Sequence, residues 1–136
     1  MITNKPRVSV LLPVYNAESY LDETLESIAV QSMDCFEVVA VDDGSTDGSP
    51  EILKAWANRD KRFKPIFCKH QGIVKAPNEG LDFCMGSYVA RMDADDIMHV
   101  DRLKLQTALL DTSPNISVVT TSKSIPPNSS DIFTPN

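Results

Sequence analysis

A chain of 136 residues, with 42% hydrophobic and 24% charged side chains, can bury one core without disulfide or metal staples and lacks the bias of disordered, collagenous or coiled-coil sequences. Its 13 basic and 19 acidic residues give a net charge of -6, which opposes the counterion release that drives nucleic-acid binding, so DNA and RNA are not expected partners. Cys35, Cys68 and Cys84 have no metal-like spacing, no signal-like segment opens the chain, and no apolar run is long enough for a membrane segment. Free thiols in a cytoplasmic protein, able to work at the inner face of the membrane, are the expectation.

The first element, Val8-Ser-Val-Leu-Leu-Pro-Val14, is a near-continuous apolar run of the kind buried on both faces of a parallel sheet, with Pro13 marking its end. Asn16 has N-cap chemistry for a helix whose apolar stripe is Leu21, Leu25 and Ile28. A second buried strand, Phe36 to Val41, runs into the turn Asp42-Asp43-Gly44-Ser45-Thr46-Asp47. Ser49-Pro50 then fits the N-cap and first turn of a helix with Ile52, Leu53, Trp56 and Ala57 inward. A third strand is expected over residues 64–68. After Gly72 a helix should turn Leu81 and Cys84 inward and close at Gly86. Residues 87–92 form the fourth strand and deliver Asp93-Ala94-Asp95-Asp96; a helix near 101–111 and a strand over 116–121 follow. Residues 122–136, with three prolines and no period, are expected to be a flexible tail beyond a domain of residues 1–121.

Alternating strands and helices predict an α/β fold, a Rossmann-like three-layer α/β/α arrangement around a mostly parallel sheet. Ligands of such sheets bind at the carboxyl ends of the strands, which places residues 13–16, 42–45 and 93–96 on one rim. Counting Asp47, six carboxylates gather at sheet ends and repel one another unless a cation is bound or some cap helices. One intervening residue lets Asp93 and Asp95 reach one locality, and oxygen ligands of this kind suit Mg²⁺ or Mn²⁺, with substrate phosphate oxygens completing the shell. An isolated pair of this sort more often caps the following helix, and Asp96 is read that way. Asp42 and Asp43 are expected to divide the work, one ordering the turn and one facing a base or ribose. His70 and His99 have no ligand partner at useful spacing and are expected in surface or supporting roles.

Taken in order, residues 8–16, Val41-Asp-Asp-Gly-Ser-Thr-Asp47, Gly72-Ile-Val, Asn78-Glu-Gly-Leu81, Gly86-Ser-Tyr-Val-Ala-Arg-Met-Asp-Ala-Asp-Asp-Ile97 and Asp101-Arg-Leu103 make the chain resemble family 2 glycosyltransferases from about Val8 to Thr121. The resemblance implies a GT-A fold, a nucleotide-diphosphate sugar donor (a UDP-sugar foremost), a divalent cation, transfer to an acceptor hydroxyl and a place in polysaccharide or glycoconjugate synthesis. By matching position, Pro13, Val14 and Tyr15 would line the base pocket, Asp43 would hydrogen-bond the base, Asp93 would bind ribose or metal, and Asp95 would ligate the metal. Pro77 stands where many members carry Arg; Lys75 is the candidate to supply that cation to the donor. Arg91 shares strand parity with Asp93 and can screen the acidic rim.

The same resemblance marks a truncation. The family's catalytic base and acceptor surface follow the D-x-D strand, and nothing after Thr121 matches them, so no catalytic base is named and the acceptor is unknown. The competing expectation is a catalytically incompetent remnant that binds nucleotide or docks another subunit, with self-association through the uncovered face. A nucleotidyltransferase is disfavoured because residues 14–18 carry neither the glycine nor the cation of a phosphate loop.

Overall fold

The computed structural model describes residues 5–72, 75–113 and 115, together with strand residues 120–121 and 132–133. Along the chain these form β1 (Val8–Val14), α1 (Leu21–Ala29), β2 (Phe36–Asp43), α2 (Ser49–Arg59), β3 (Phe63–Cys68), α3 (Lys75–Leu81), β4 (Tyr88–Arg91) and α4 (Arg102–Thr112). The two-residue strands β5 (Thr120–Thr121) and β6 (Ile132–Phe133) pair antiparallel. The main sheet has four parallel strands in the order β3-β2-β1-β4.

That order decides where a ligand can sit. β2 and β3 add outward on one side of β1 and β4 returns to the other, so the sheet changes its direction of growth between β1 and β4. The β1–β4 ladder runs from the Tyr88 N–H on the Arg7 carbonyl to the Met92 N–H on the Leu11 carbonyl, each 3.0 Å. The next β1 residue directed at β4 is Pro13, which has no N–H to orphan, and there the two strands part.

Both faces of the sheet are covered. Val10, Leu12 and Val14 turn toward Leu21, Leu25 and Ile28 of α1, Leu53 and Trp56 of α2, and Leu103 of α4. Leu11, Val39 and Val41 turn the other way, onto Ala76 of α3. α3 sits close because Gly80 has no side chain: a Cβ there would lie 2.5 Å from Val41 Cγ2 and 2.6 Å from Leu11 Cδ1.

Several local expectations are corrected. Asn16 does not cap α1, whose first residue is Leu21 with Tyr20 before it. Ser49 is inside α2 and Gly48 precedes it, while Asp47 Oδ1 accepts from the Ser49 N–H at 2.9 Å. Leu81 is exposed, not inward; in a helix of only seven residues the buried positions are Ala76, Pro77 and Gly80. Gly86 closes no helix but lies against β1, where a Cβ would meet the Ser9 backbone N at 2.6 Å. Of the strand expected over 116–121, only 120–121 are described. The tail expectation falls outside the described residues except at Ile132–Phe133, which pair with Thr120–Thr121. Among the described residues no helix is long and apolar enough to cross a membrane.

A polar cluster fills the part of the second face that short α3 does not reach. Ser9 and Glu37 are register partners on β1 and β2, and the Ser9 hydroxyl donates to Glu37 Oε1 at 2.6 Å. Glu37, only 2% exposed, also accepts from the Met85 N–H and from Lys64 Nζ, both at 2.7 Å, while the Gly86 N–H donates to Ser9 Oγ. These bonds anchor the turn leading into β4. Burial pushes the Glu37 carboxyl up, but the hydrogen bonds from Lys64, Ser9 and Met85 outweigh it and hold the pKa below the usual value. A carboxyl lowered by folding stabilises above its unfolded pKa of about 4.3, and that contribution is lost as pH falls through the folded value. Glu37→Leu, which leaves the Met85 N–H without its acceptor, is expected to cost about 2–4 kcal/mol in urea unfolding. Its stability should also fall less steeply than the wild type's below the ordinary glutamate range.

Candidate functional site

Where β1 and β4 part, a cavity of about 410 Å³ opens at the carboxyl ends of the strands. Pro13, Val14 and Tyr15 at the end of β1 form one wall, Asp43 and His70 a second, and Arg91, Asp93, Ala94 and Asp95 a third. The sequence-expected residues Pro13, Val14, Tyr15, Asp43, Asp93 and Asp95 therefore share one space. Lys75 does not join them: it is exposed at the first residue of α3, and its neighbour Ala76 lines the cavity instead.

The loops that shape this rim are tied to one another. Asn16 takes the left-handed conformation, φ 49°, which asparagine tolerates better than most residues. Its N–H donates to Ser45 Oγ at 2.9 Å, and its Oδ1 accepts from the Thr46 N–H at 2.8 Å. The Ala17 N–H donates to Ser49 Oγ, and the Gly48 N–H to Glu18 Oε2, both at 2.9 Å. The β1–α1 and β2–α2 loops are thus one unit, which fixes Tyr15 relative to Asp43.

Asp42 and Asp43 point to different jobs, as successive residues of a strand face opposite sides of the sheet. Asp42 Oδ2 accepts from the Ser45 N–H at 3.3 Å and so orders the turn. Asp43, 5% exposed, reaches the cavity wall, where Oδ1 accepts from the Gln71 N–H at 2.7 Å and Oδ2 from the Gly72 N–H at 3.0 Å. The carboxylate holds the β3–α3 loop and keeps lone-pair capacity on Oδ1. His70 belongs to this wall too, its ring centroid 4.5 Å from that of Tyr15. The sequence offered one signal for it, position two residues beyond β3, on the rim where the other loops lie.

The opposite wall is acidic. Asp93, Asp95 and Asp96 each place a carboxylate oxygen within 4.8 Å of the others, so Asp96 belongs to the same acidic cluster. Arg91 Nη1 donates to Asp93 Oδ1 at 3.2 Å, and the Asp96 N–H donates to the Asp93 carbonyl at 3.1 Å. A set of hard oxygens this close fits Mg²⁺ or Mn²⁺, with Asp93 and Asp95 both on the cavity.

The acidic loop is held from behind by α1, through polar side chains that no apolar periodicity reveals. Thr24 Oγ1 donates to the carbonyl of Ala94, the residue between the two aspartates, at 2.7 Å. Ser27 Oγ accepts from the Met98 N–H at 2.9 Å. Just past the helix, Gln31 donates to the His99 carbonyl at 2.6 Å and accepts from the Leu103 N–H at 3.1 Å. Thr24, Ser27 and Gln31 are all buried. Arg102 Nη2 donates to the Arg91 carbonyl at 3.2 Å; burial pushes its pKa down, opposed by the nearby charge of Asp96. Thr24→Val keeps the shape but orphans the Ala94 carbonyl, and is expected to cost about 1–2 kcal/mol by denaturant titration. Amide exchange at Asp96 should quicken in that variant while exchange in β2 is unchanged.

Comparison with known proteins agrees with this geometry. The family model described as Glycosyl transferase family 2 matches residues 9–135. An uncharacterized glycosyltransferase of Haemophilus influenzae is 39% identical over 139 residues, covering 90% of this chain and 56% of its own. Glycosyltransferase GlyA of Streptococcus pneumoniae is 41% identical over 95 residues, covering 70% of this chain and 14% of its own. The chain thus spans little more than half of the first and a small part of the second. Among solved structures, S. aureus TarS 1-349 in complex with UDP superposes with a TM-score of 0.72 at 35% identity, covering 77% of this chain and 32% of that one. Mannosyltransferase PcManGT from Pyrobaculum calidifontis, in complex with GDP-Man and Mn²⁺, superposes with a TM-score of 0.73 at 30% identity, covering 82% and 34%. The fold is that of the GT-A glycosyltransferases. A matching family model over nearly the whole sequence, on a parallel sheet that opens beside an acidic strand end, places this chain in glycosyl transferase family 2.

Proposed function

We propose that this chain binds a nucleotide-diphosphate sugar through a divalent cation and forms the donor-binding part of an enzyme that transfers the sugar to an acceptor hydroxyl in polysaccharide or glycoconjugate synthesis. The observation that carries this reading is the single cavity joining the Tyr15–Asp43 wall to the Asp93–Asp95 wall. Pro13, Val14 and Tyr15 receive the base. Asp43, an acceptor with capacity left on Oδ1, takes the ring N–H of uracil or guanine, the bases carried by the ligands of TarS and PcManGT. Asp95 ligates the cation, and Asp93 ligates it or the ribose. When bound, the cation neutralises charge that builds on the departing diphosphate. A UDP-sugar is the favoured donor, in keeping with the UDP and UDP-GlcNAc complexes of TarS. None of the described residues is assigned as catalytic base.

Calorimetric titration with the diphosphates of uridine, guanosine, thymidine and cytidine, with and without Mn²⁺, tests the reading. UDP is expected to bind, more tightly with metal, and CDP poorly, because cytosine N3 carries no hydrogen for Asp43. Asp95→Asn should weaken Mn²⁺-supported UDP binding about 10-fold or more and leave metal-free binding almost unchanged. No binding of any nucleotide in the presence of metal would overturn the proposal.

A further inference from the structure

We infer that His70 contacts the nucleoside directly, offering Nε2 as a hydrogen-bond acceptor to a base N–H or a ribose hydroxyl; this rests on the nucleotide reading of the cavity. Its side chain is 58% exposed, yet it is restrained on three sides. Nδ1 lies 3.0 Å from Asp43 Oδ2 and 3.1 Å from the Asp43 carbonyl oxygen. The ring packs on Tyr15 with a 33° tilt and a 4.5 Å centroid separation. Its backbone lies against Gly44, whose φ is +70° and where a Cβ would come within 2.7 Å of the His70 N. An exposed side chain on a loop end ordinarily keeps its rotamer freedom, whereas the contacts to Asp43 and Tyr15 favour one orientation of this ring.

The contacts also fix the chemistry of the ring. Both oxygens at Nδ1 are acceptors, so Nδ1 carries the hydrogen and donates it, and in the neutral imidazole Nε2 is then the acceptor. Nε2 has no hydrogen-bond partner among the described residues. A lone pair beside the Asp43 carboxylate repels a phosphate oxygen, and the diphosphate belongs with the acidic cluster on the facing wall. What remains for Nε2 is a donor on the nucleoside. His70, Tyr15 and Asp43 then form one assembly, in which Asp43 both orients the imidazole and keeps an acceptor of its own.

The test is calorimetric titration of UDP into wild type, His70→Ala and His70→Phe, with and without Mn²⁺, with thermal unfolding as the folding control. His70→Ala removes ring and acceptor and is expected to weaken UDP about 10-fold, by the same factor with and without metal. His70→Phe keeps a ring against Tyr15 and loses the acceptor, so a smaller loss of about 3-fold is expected. Unchanged affinity in both folded variants, or a loss confined to the Mn²⁺ titration, would overturn this inference alone. Failure of the wild type to bind any nucleotide would remove it together with the reading on which it rests.

Discussion

Strand β1 has partners on both edges only as far as Leu11, and the rest of the structure follows from that limit. On the β2 side its ladder continues to Val14, paired with Asp42, so the acidic turn after β2 is carried to the same height as Tyr15. On the β4 side the ladder stops, and Pro13 lets it stop without a stranded N–H. Had the β1 and β4 strands stayed paired for two more residues, Asp93 would lie in a ladder beside Pro13. The cavity exists because one edge of one strand is released while the other is kept.

Releasing an edge leaves a loop to be held by other means, and the acidic loop most of all, since Asp93, Asp95 and Asp96 repel one another at the distances found. Part of the opposing force is electrostatic, from Arg91 on Asp93. Another part is hydrogen bonding to main chain. Thr24, Ser27, Gln31 and Arg102 together grip the carbonyls of Arg91, Ala94 and His99 and the N–H groups of Met98 and Leu103. Removing the Ser27 or Gln31 bonds to the Met98 and Leu103 N–H groups leaves a buried donor unpaired, so the loop resists loosening more strongly than its exposure suggests.

How much of this was legible in the sequence divides along the range of the interaction. β1 and β2 were readable because burial on both faces writes a near-continuous apolar run, and the Asp93-Ala-Asp95 pair because a strand end can bring both carboxylates to one place. Asn16 misled because cap chemistry and left-handed turn chemistry use the same side chain, and its partners Ser45 and Thr46 are 29 and 30 residues away. Thr24, Ser27 and Gln31 were illegible for the opposite reason: polar residues on an inner face break the helical period, and their meaning depends on a loop 68 to 72 residues later. His70 needed only the end of β3 to be placed. Leu81 was misread because a short helix against the sheet buries its small residues, Ala76 and Gly80, where backbone can approach.

The lining of the cavity explains how an acidic chain can accommodate an anionic ligand. Among the described lining residues Arg91 is the one lysine or arginine, and it already donates to Asp93. Asp43, Asp93 and Asp95 are carboxylates that line it from both sides. A bare diphosphate entering this space would meet carboxylates on both walls. The proposed ligand, whose nucleoside brings N–H and O–H groups and whose diphosphate arrives with a divalent cation, would offset both walls at once. On the proposed reading, the net charge of -6, which removed nucleic acid from consideration, would favour the metal-bound form of the nucleotide over the free anion.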